Sequence, residues 1–121
     1  MEDGWQLDRR GWHVRRDGAT FALSRRMPLR WDVEAATAMA DLGRRRLAHA
    51  VRQDIWRAFR NVRGFAPAVE VSRRDGGTIV RAGGAVEGRV PPGMASGIAR
   101  MLDDPERRAE WVRSAAHRSA G

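Results

Sequence analysis

Histidines and carboxylates are the side chains of this sequence that most often carry catalysis or bind metals. The three histidines, His13, His49 and His117, lie far apart, and no His-x-x-x-His or His-Glu-x-x-His pattern joins any of them. Their spacing therefore predicts no metal site. The densest acidic cluster, at residues 103–106, is explained by the capping of a helix start rather than by a pair of catalytic carboxylates.

Three residue types are missing, and their absence excludes several chemistries. The chain has no cysteine, lysine or tyrosine, so it offers no thiolate nucleophile, no lysine Schiff base and no tyrosine acid or base. No Gly-x-Ser-x-Gly element is present, and the glycine-rich run at residues 83–88 lacks both the dinucleotide-binding spacing and a Walker lysine. The sequence predicts no cofactor. It supports no particular enzyme class, but it does not exclude that the protein is an enzyme.

Positive charge is the strongest feature of the composition. All 23 basic residues are arginine, and they outnumber the 15 acidic residues to give a formal net charge of +8. The excess is concentrated in two blocks, residues 9–30 and 44–63. A GC-rich genome explains arginine in place of lysine, but it does not explain the surplus of charge. Focused positive charge is what binding to a polyanion requires, although surface charge can also serve solubility alone.

The second basic block lies on a predicted helix and separates into two faces at about 100° per residue. One arc is apolar and predicts a core-facing surface, made of Leu47, Val51, Ile55, Ala58, Phe59 and Val62. The other arc is basic with one aromatic side chain, and it consists of Arg45, His49, Arg52, Gln53, Trp56, Arg60 and Arg63, with Arg46 and Arg57 at its edge.

Three interpretations of this basic arc stay open. It is a solvated helix face, a docking site for an acidic protein, or a nucleic-acid contact surface. In the nucleic-acid hypothesis, Arg45, Arg52, Arg60 and Arg63 bind phosphates and Trp56 stacks on a base.

Paired arginines also stand at two predicted turns. Arg15 and Arg16 precede one Asp-Gly pair, and Arg73 and Arg74 precede another. Basic β-ribbons can enter a DNA groove, and arginine is favoured in a narrow minor groove. These four arginines are therefore added to the candidate nucleic-acid contacts, with an exposed turn of an arginine-rich protein as the alternative explanation.

Local patterns predict the strands that position these side chains. Short alternating runs on either side of Asp-Gly predict a β-hairpin over about residues 11–24 and a second one over about 69–81. Trp5 and Leu7 indicate an additional early strand. Glycines between residues 83 and 88 predict a flexible return, with a short third strand at 85–86.

Three helical segments are predicted. An N-cap at Asp32 starts a helix from about 33 to 62, which Gly43 can interrupt. A second helix covers about 94–102, and a third starts at Asp104 and Pro105 and runs to about 117. The last two helices carry four large apolar side chains that either pack in the core or form a dimer or partner surface: Met94, Ile98, Met101 and Trp111.

Together these elements predict an α+β protein with one domain over residues 1–121 and ragged ends at about 1–4 and 118–121. Two short β-hairpins, which can join in one small antiparallel sheet, pack on a long amphipathic helix and are followed by a C-terminal helical pair. No apolar run is long enough to span a membrane, and the acidic N-terminus does not resemble a signal peptide. The absence of cysteine is typical of a cytoplasmic protein.

The leading functional hypothesis is a small, basic, non-catalytic protein that binds DNA or RNA or assists a protein that does. The alternative is a protein-interaction module. Such a module would dock on an acidic partner, or would assemble with itself, for example as a homodimer, through its C-terminal helices.

Overall fold

The computed structural model describes residues 4–117, which form a six-stranded antiparallel sheet and three helices. The strand order in the sheet is β1-β2-β3-β5-β6-β4. The prediction of an α+β fold is confirmed, and both hairpins belong to one sheet. The elements in chain order are β1 (Trp5–Leu7), β2 (His13–Asp17), β3 (Thr20–Ser24), β4 (Val33–Ala40), α1 (Arg44–Phe59), β5 (Phe65–Arg74), β6 (Gly77–Val86), α2 (Met94–Asp103) and α3 (Pro105–Ala115).

The predicted helix over residues 33–62 is wrong in its first third, which forms strand β4 at one edge of the sheet. Alternate residues of β4 are buried (Val33 and Met39) or partly buried (Ala35 and Thr37), while the residues between them are exposed. This period of two is the signature of a strand. Asp32 is therefore not an N-cap: its carboxylate accepts hydrogen bonds from the Val86 amide and the Arg30 guanidinium.

The prediction of a flexible return at the glycines is also wrong, because Gly83 and Gly84 lie inside β6. The short strand predicted at residues 85–86 is the end of this same strand. Both glycines have positive φ, at 155° and 138°. A Cβ at Gly83 would overlap the carbonyl oxygen of Val33, and one at Gly84 would overlap that of Ala66. The neighbouring strands approach the β6 backbone so closely that only glycine fits there.

The core lies between one face of the sheet and the helices. Helix α1 packs on β3, β5 and β6, α2 packs mainly on β4, and α3 packs against α1. The four side chains considered for a partner surface are at most 6% exposed and belong to this core: Met94, Ile98, Met101 and Trp111. They therefore pack inside the chain and present no partner surface. The third helix start is confirmed, since the Asp104 carboxylate accepts from the Arg107 amide at 3.1 Å.

Strands β5 and β6 lie between β3 and β4 in the sheet, so residues 25–32 must cross from one side of this central hairpin to the other. The amide of Arg25 donates to the carbonyl oxygen of Pro67, and the amide of Asp32 donates to that of Gly84. These bonds fix both ends of the crossing. The crossing carries Arg25 and Arg26 to the end of the sheet where β5 begins.

No helix among residues 4–117 combines the length and the apolar character needed to cross a membrane. The ragged ends predicted at about 1–4 and 118–121 lie outside the described residues, apart from Gly4.

Candidate nucleic-acid interface

A tight loop between β1 and β2 brings the first basic block against helix α1. The Asp8 carboxylate accepts hydrogen bonds from the amides of Arg10, at 2.8 Å, and Trp12, at 2.9 Å. Burial opposes ionisation of this carboxyl, but the two amides and the charges of His49 and Arg45 outweigh it and lower its pKa. The ionised Asp8 therefore holds Arg10 and Trp12 in place.

The Trp12 indole is the contact point between this loop, the crossing segment and α1. The guanidinium carbon of Arg52 lies 4.7 Å from the ring centroid, and that of Arg25 lies 5.4 Å from it. Arg25 also donates to the carbonyl oxygen of Gly11 at 3.0 Å. Cation–π contacts of this kind orient guanidinium groups without neutralising their charge.

These side chains surround an open groove of about 810 Å³ between the β1–β2 loop, the crossing segment, α1 and the start of β5. We call it the Trp56 groove, because the Trp56 indole on its wall is 43% exposed. Four arginines and a largely apolar surface line it together: Arg10, Arg25, Arg26, Arg52, Leu7, Gly11, Trp12, Trp56, Phe65, Ala66 and Pro67.

Two further cavities continue the basic surface along α1. One, of about 410 Å³, shares Arg10 and Arg52 with the groove and adds Arg45, Arg46 and His49. The next, of about 370 Å³, shares Arg45 and Arg46 and reaches the helix start and strand β2. Nine arginines line these three cavities. Among them, Arg26 pairs with Glu87, Arg73 pairs with Asp41, and Arg44 donates to the carbonyl oxygen of Gly18. We define the arginine band as the other six: Arg10, Arg16, Arg25, Arg45, Arg46 and Arg52.

Carboxylates neutralise the arginines of these cavities only in part, because Glu87 and Asp41 pair with Arg26 and Arg73 and not with the arginine band. Among residues 4–117, none of its six members forms an ion pair. Burial, helped by the positive charges of Arg10 and Arg25, lowers the pKa of the Arg52 guanidinium, and Asp8 offsets this only in part. The charged form of Arg52 is therefore disfavoured by burial and by repulsion from Arg10 and Arg25, and a bound anion would stabilise it.

Two nitrogens of helix α1, Arg52 Nε and His49 Nδ1, are buried without a hydrogen-bond partner within the described part of the chain, and Arg15 Nε on the opposite face of the sheet is in the same state. A buried polar group left in this state costs about 1–3 kcal/mol.

The structure brings only part of the predicted basic arc together. Arg45, His49, Arg52 and Trp56 line the groove or the adjoining cavity. Helix α1 ends at Phe59, so Arg60 is its C-cap and Arg63 lies beyond it, and neither lines these cavities.

The paired arginines at the turns separate between the two faces of the sheet. Arg16 lies on the face of the sheet that packs against the helices, and it lines the cavity at the start of α1. Arg15 lies on the opposite face, where its guanidinium carbon is 5.0 Å from the centroid of the Trp5 ring. Arg73 pairs with Asp41 at 3.3 Å, and Arg74 lies at the end of β5. The Arg73 amide donates to the carbonyl of residue 19. The two turns therefore lie side by side, and neither hairpin projects as a free ribbon.

Sequence reasoning missed Arg10, Arg25, Arg26 and Trp12 as members of the site, and it placed Arg46 only at the edge of the basic arc. The surplus of charge in residues 9–30 was the only signal for the first four. Their convergence depends on the Asp8 loop and on the crossing segment, both of which are tertiary features. In residues 4–117 no cluster of three or more His, Asp or Glu side chains could hold a metal ion.

His49 gives this surface a pH dependence. Burial lowers its pKa, the charges of Arg52, Arg45 and Arg10 add to this effect, and Asp8 opposes it. The folded chain thus favours neutral His49, while the unfolded chain takes up the proton at about pH 6.5. We expect the free energy of unfolding to fall as the pH drops below about 6.5, and His49→Gln to make this decline shallower.

Urea denaturation at a series of pH values from 7.5 to 5 measures this effect. The carboxyl groups with lowered pKa values, such as Asp8 and Glu34, contribute in a separate window below about pH 4. Parallel stability curves for the parent chain and His49→Gln above pH 5 would contradict the assignment.

No protein-family model, curated protein sequence or solved structure matches this chain at a significant level.

Proposed function

We propose that this protein binds nucleic acid by its phosphate backbone along the arginine band and catalyses no reaction on it. The observation that carries the proposal is the convergence of six arginines from four chain segments, without carboxylate partners in the described residues. Guanidinium groups bind phosphates in a bidentate manner and keep their charge at all physiological pH values.

The length of the band suits a polymer rather than a single anion. Arg45 and Arg52 lie seven residues apart on α1, which corresponds to about 10 Å along the helix axis. A segment of this length is longer than one phosphate group, and the band extends beyond it, with Arg16 past one end and Arg25 past the other. The band can therefore contact more than one phosphate of the same strand.

An acidic protein surface is the competing partner, because the same charges would attract it. The band supports nucleic acid more directly, since it lies beside exposed apolar and aromatic side chains that a carboxylate cluster would not cover. The proposed C-terminal self-assembly surface finds no support, because its side chains are buried.

The test is the salt dependence of binding. Fluorescence anisotropy with labelled 20-nucleotide single strands and matching duplexes, between 50 and 300 mM salt, gives log–log slopes of affinity against salt. Four phosphate contacts predict slopes of about −3 for single strands and −4 for duplexes.

Polyaspartate of equal charge is the control competitor. If it displaces the oligonucleotide as well as unlabelled oligonucleotide does, the surface recognises charge alone and the acidic-protein hypothesis gains. If no oligonucleotide binds at 50 mM salt, the proposed function is wrong.

A further inference from the structure

The Trp56 groove concentrates exposed apolar surface as well as charge. Three large hydrophobic side chains are strongly exposed among the described residues, and two of them, Leu7 at 66% and Trp56 at 43%, line this groove. The third, Val112, lies on α3 and outside it. Single exposed apolar side chains are common on protein surfaces, but several that lie together in one groove indicate a binding surface.

The polar groups of the groove demand a different kind of contact. Arg52 and Arg25 lie against Trp12, and neither forms an ion pair within residues 4–117. Phe65, Ala66 and Pro67 also line the groove, and none of them carries a charge. A matching ligand combines anionic oxygens with a flat apolar ring, joined by a short linker.

We infer that the Trp56 groove receives an unpaired base on the Trp56 indole, with its phosphates on Arg25 and Arg52, so that the protein selects single strands over duplexes. This inference rests on the proposed function and names the form of nucleic acid bound. In a duplex the base faces are stacked on one another and cannot cover an indole. In a single strand each base offers an open face, and stacking on aromatic side chains tolerates any sequence.

The cavity has room for such a contact. Its volume of about 810 Å³ lies within the range of about 300–1,000 Å³ typical of small-ligand sites. The groove joins the rest of the arginine band through Arg10 and Arg52, which also line the next cavity along α1. A strand with one base on Trp56 can therefore continue along the band with its phosphates.

Three ligands of equal length separate the base from the phosphates: a 12-nucleotide thymidine strand, the same strand without bases, and a 12-base-pair duplex. At 100 mM salt we expect the thymidine strand to bind about five- to a hundredfold more tightly than the abasic strand. Trp56→Ala should reduce the thymidine affinity to the abasic level and leave the abasic affinity unchanged.

Trp31→Ala is the matched control, because Trp31 lies against Arg81, at 4.2 Å, and outside the groove. It should change neither affinity. Trp56→Phe keeps an aromatic face and should restore part of the difference between the two strands.

The outcomes keep the two proposals distinguishable. Equal affinities for the thymidine and abasic strands, or a duplex that binds more tightly than either, would overturn the base site while salt-dependent binding still supports the proposed function. The absence of salt-dependent binding to all three ligands would overturn both.

Discussion

Replacement of Arg10, Arg25 and Arg52 together by alanine should lower the affinity for a single-stranded oligonucleotide about a thousandfold. A hydrogen bond to a charged group contributes about 1.5 kcal/mol, so three such contacts amount to roughly 4 kcal/mol. The salt slope should also become shallower by about 2, because about 0.7 counterions are released for each phosphate neutralised on a single strand. Anisotropy titrations of the variant and parent chains measure both quantities.

The matched control removes the same charge elsewhere. Arg89, Arg100 and Arg113 are exposed and line none of the cavities of the arginine band. Their joint replacement by alanine should reduce affinity only weakly, through the lower net charge. If both triple variants lose affinity equally, the binding reflects net charge and the band is not the site.

Lysine at positions 10, 25 and 52 gives a second comparison. It keeps the charge but loses the planar fork that binds phosphate through two nitrogens. We expect this lysine variant to show the same salt slope as the parent chain and an affinity between those of the parent chain and the alanine variant. Circular dichroism and thermal unfolding of each variant show whether the fold is retained, which matters because Arg25 and Arg52 also contact Trp12.

Gly84→Ala should destabilise the protein by about 3 kcal/mol or more, because the added methyl group has no space and the backbone conformation disfavours it. Its Cβ would meet the backbone of β5 at Ala66 and Pro67, in the centre of the sheet. Strand backbone cannot move aside without breaking the ladder that joins β5 to β6. Urea denaturation measures the change as the difference in extrapolated unfolding free energy.

Gly88→Ala separates the steric effect from the conformational one. Gly88 also has positive φ, at 78°, but no heavy atom lies within 4 Å of the Cβ that alanine would add. Its replacement should cost only about 1 kcal/mol, the penalty of a left-handed conformation. Similar losses in the two variants would mean that the close approach of the strands is not what requires glycine at position 84.

Local sequence signals predicted the elements whose causes are local. The Asp-Gly pairs located the two hairpins, but the turns differ: Asp75 and Gly76 both have positive φ, whereas in the first hairpin only Gly18 does and Asp17 is the last residue of β2. Asp104 with Pro105 specifies the start of α3. The apolar arc of α1 is confirmed for Leu47, Val51 and Ile55, which are fully buried, whereas Phe59 and Val62 are partly buried and Ala58 is exposed. Each of these features depends on residues that are close to one another in the sequence.

Strand β4 is the element that local sequence signals predicted wrongly. Its alanine-rich sequence suits a helix, and Asp32 resembles an N-cap, so propensity favoured the wrong element. The segment is a strand because β6 offers it a ladder on one side and α2 covers its inner face. Gly83 and Gly84 were misinterpreted for the same reason, since the strands that require them are distant in sequence.

The sequence by itself determined the chemistry available to this protein: an all-arginine surplus of positive charge, no thiol or lysine chemistry, and two hairpins with a helix of two faces. The tertiary structure alone decided which arginines lie together. The Asp8 loop and the crossing over β5 and β6 bring Arg10 and Arg25 to Arg52 and Trp56, while the end of α1 leaves out Arg60 and Arg63. Residue types follow from composition, but proximity between distant segments depends on strand order, which a single sequence does not encode locally.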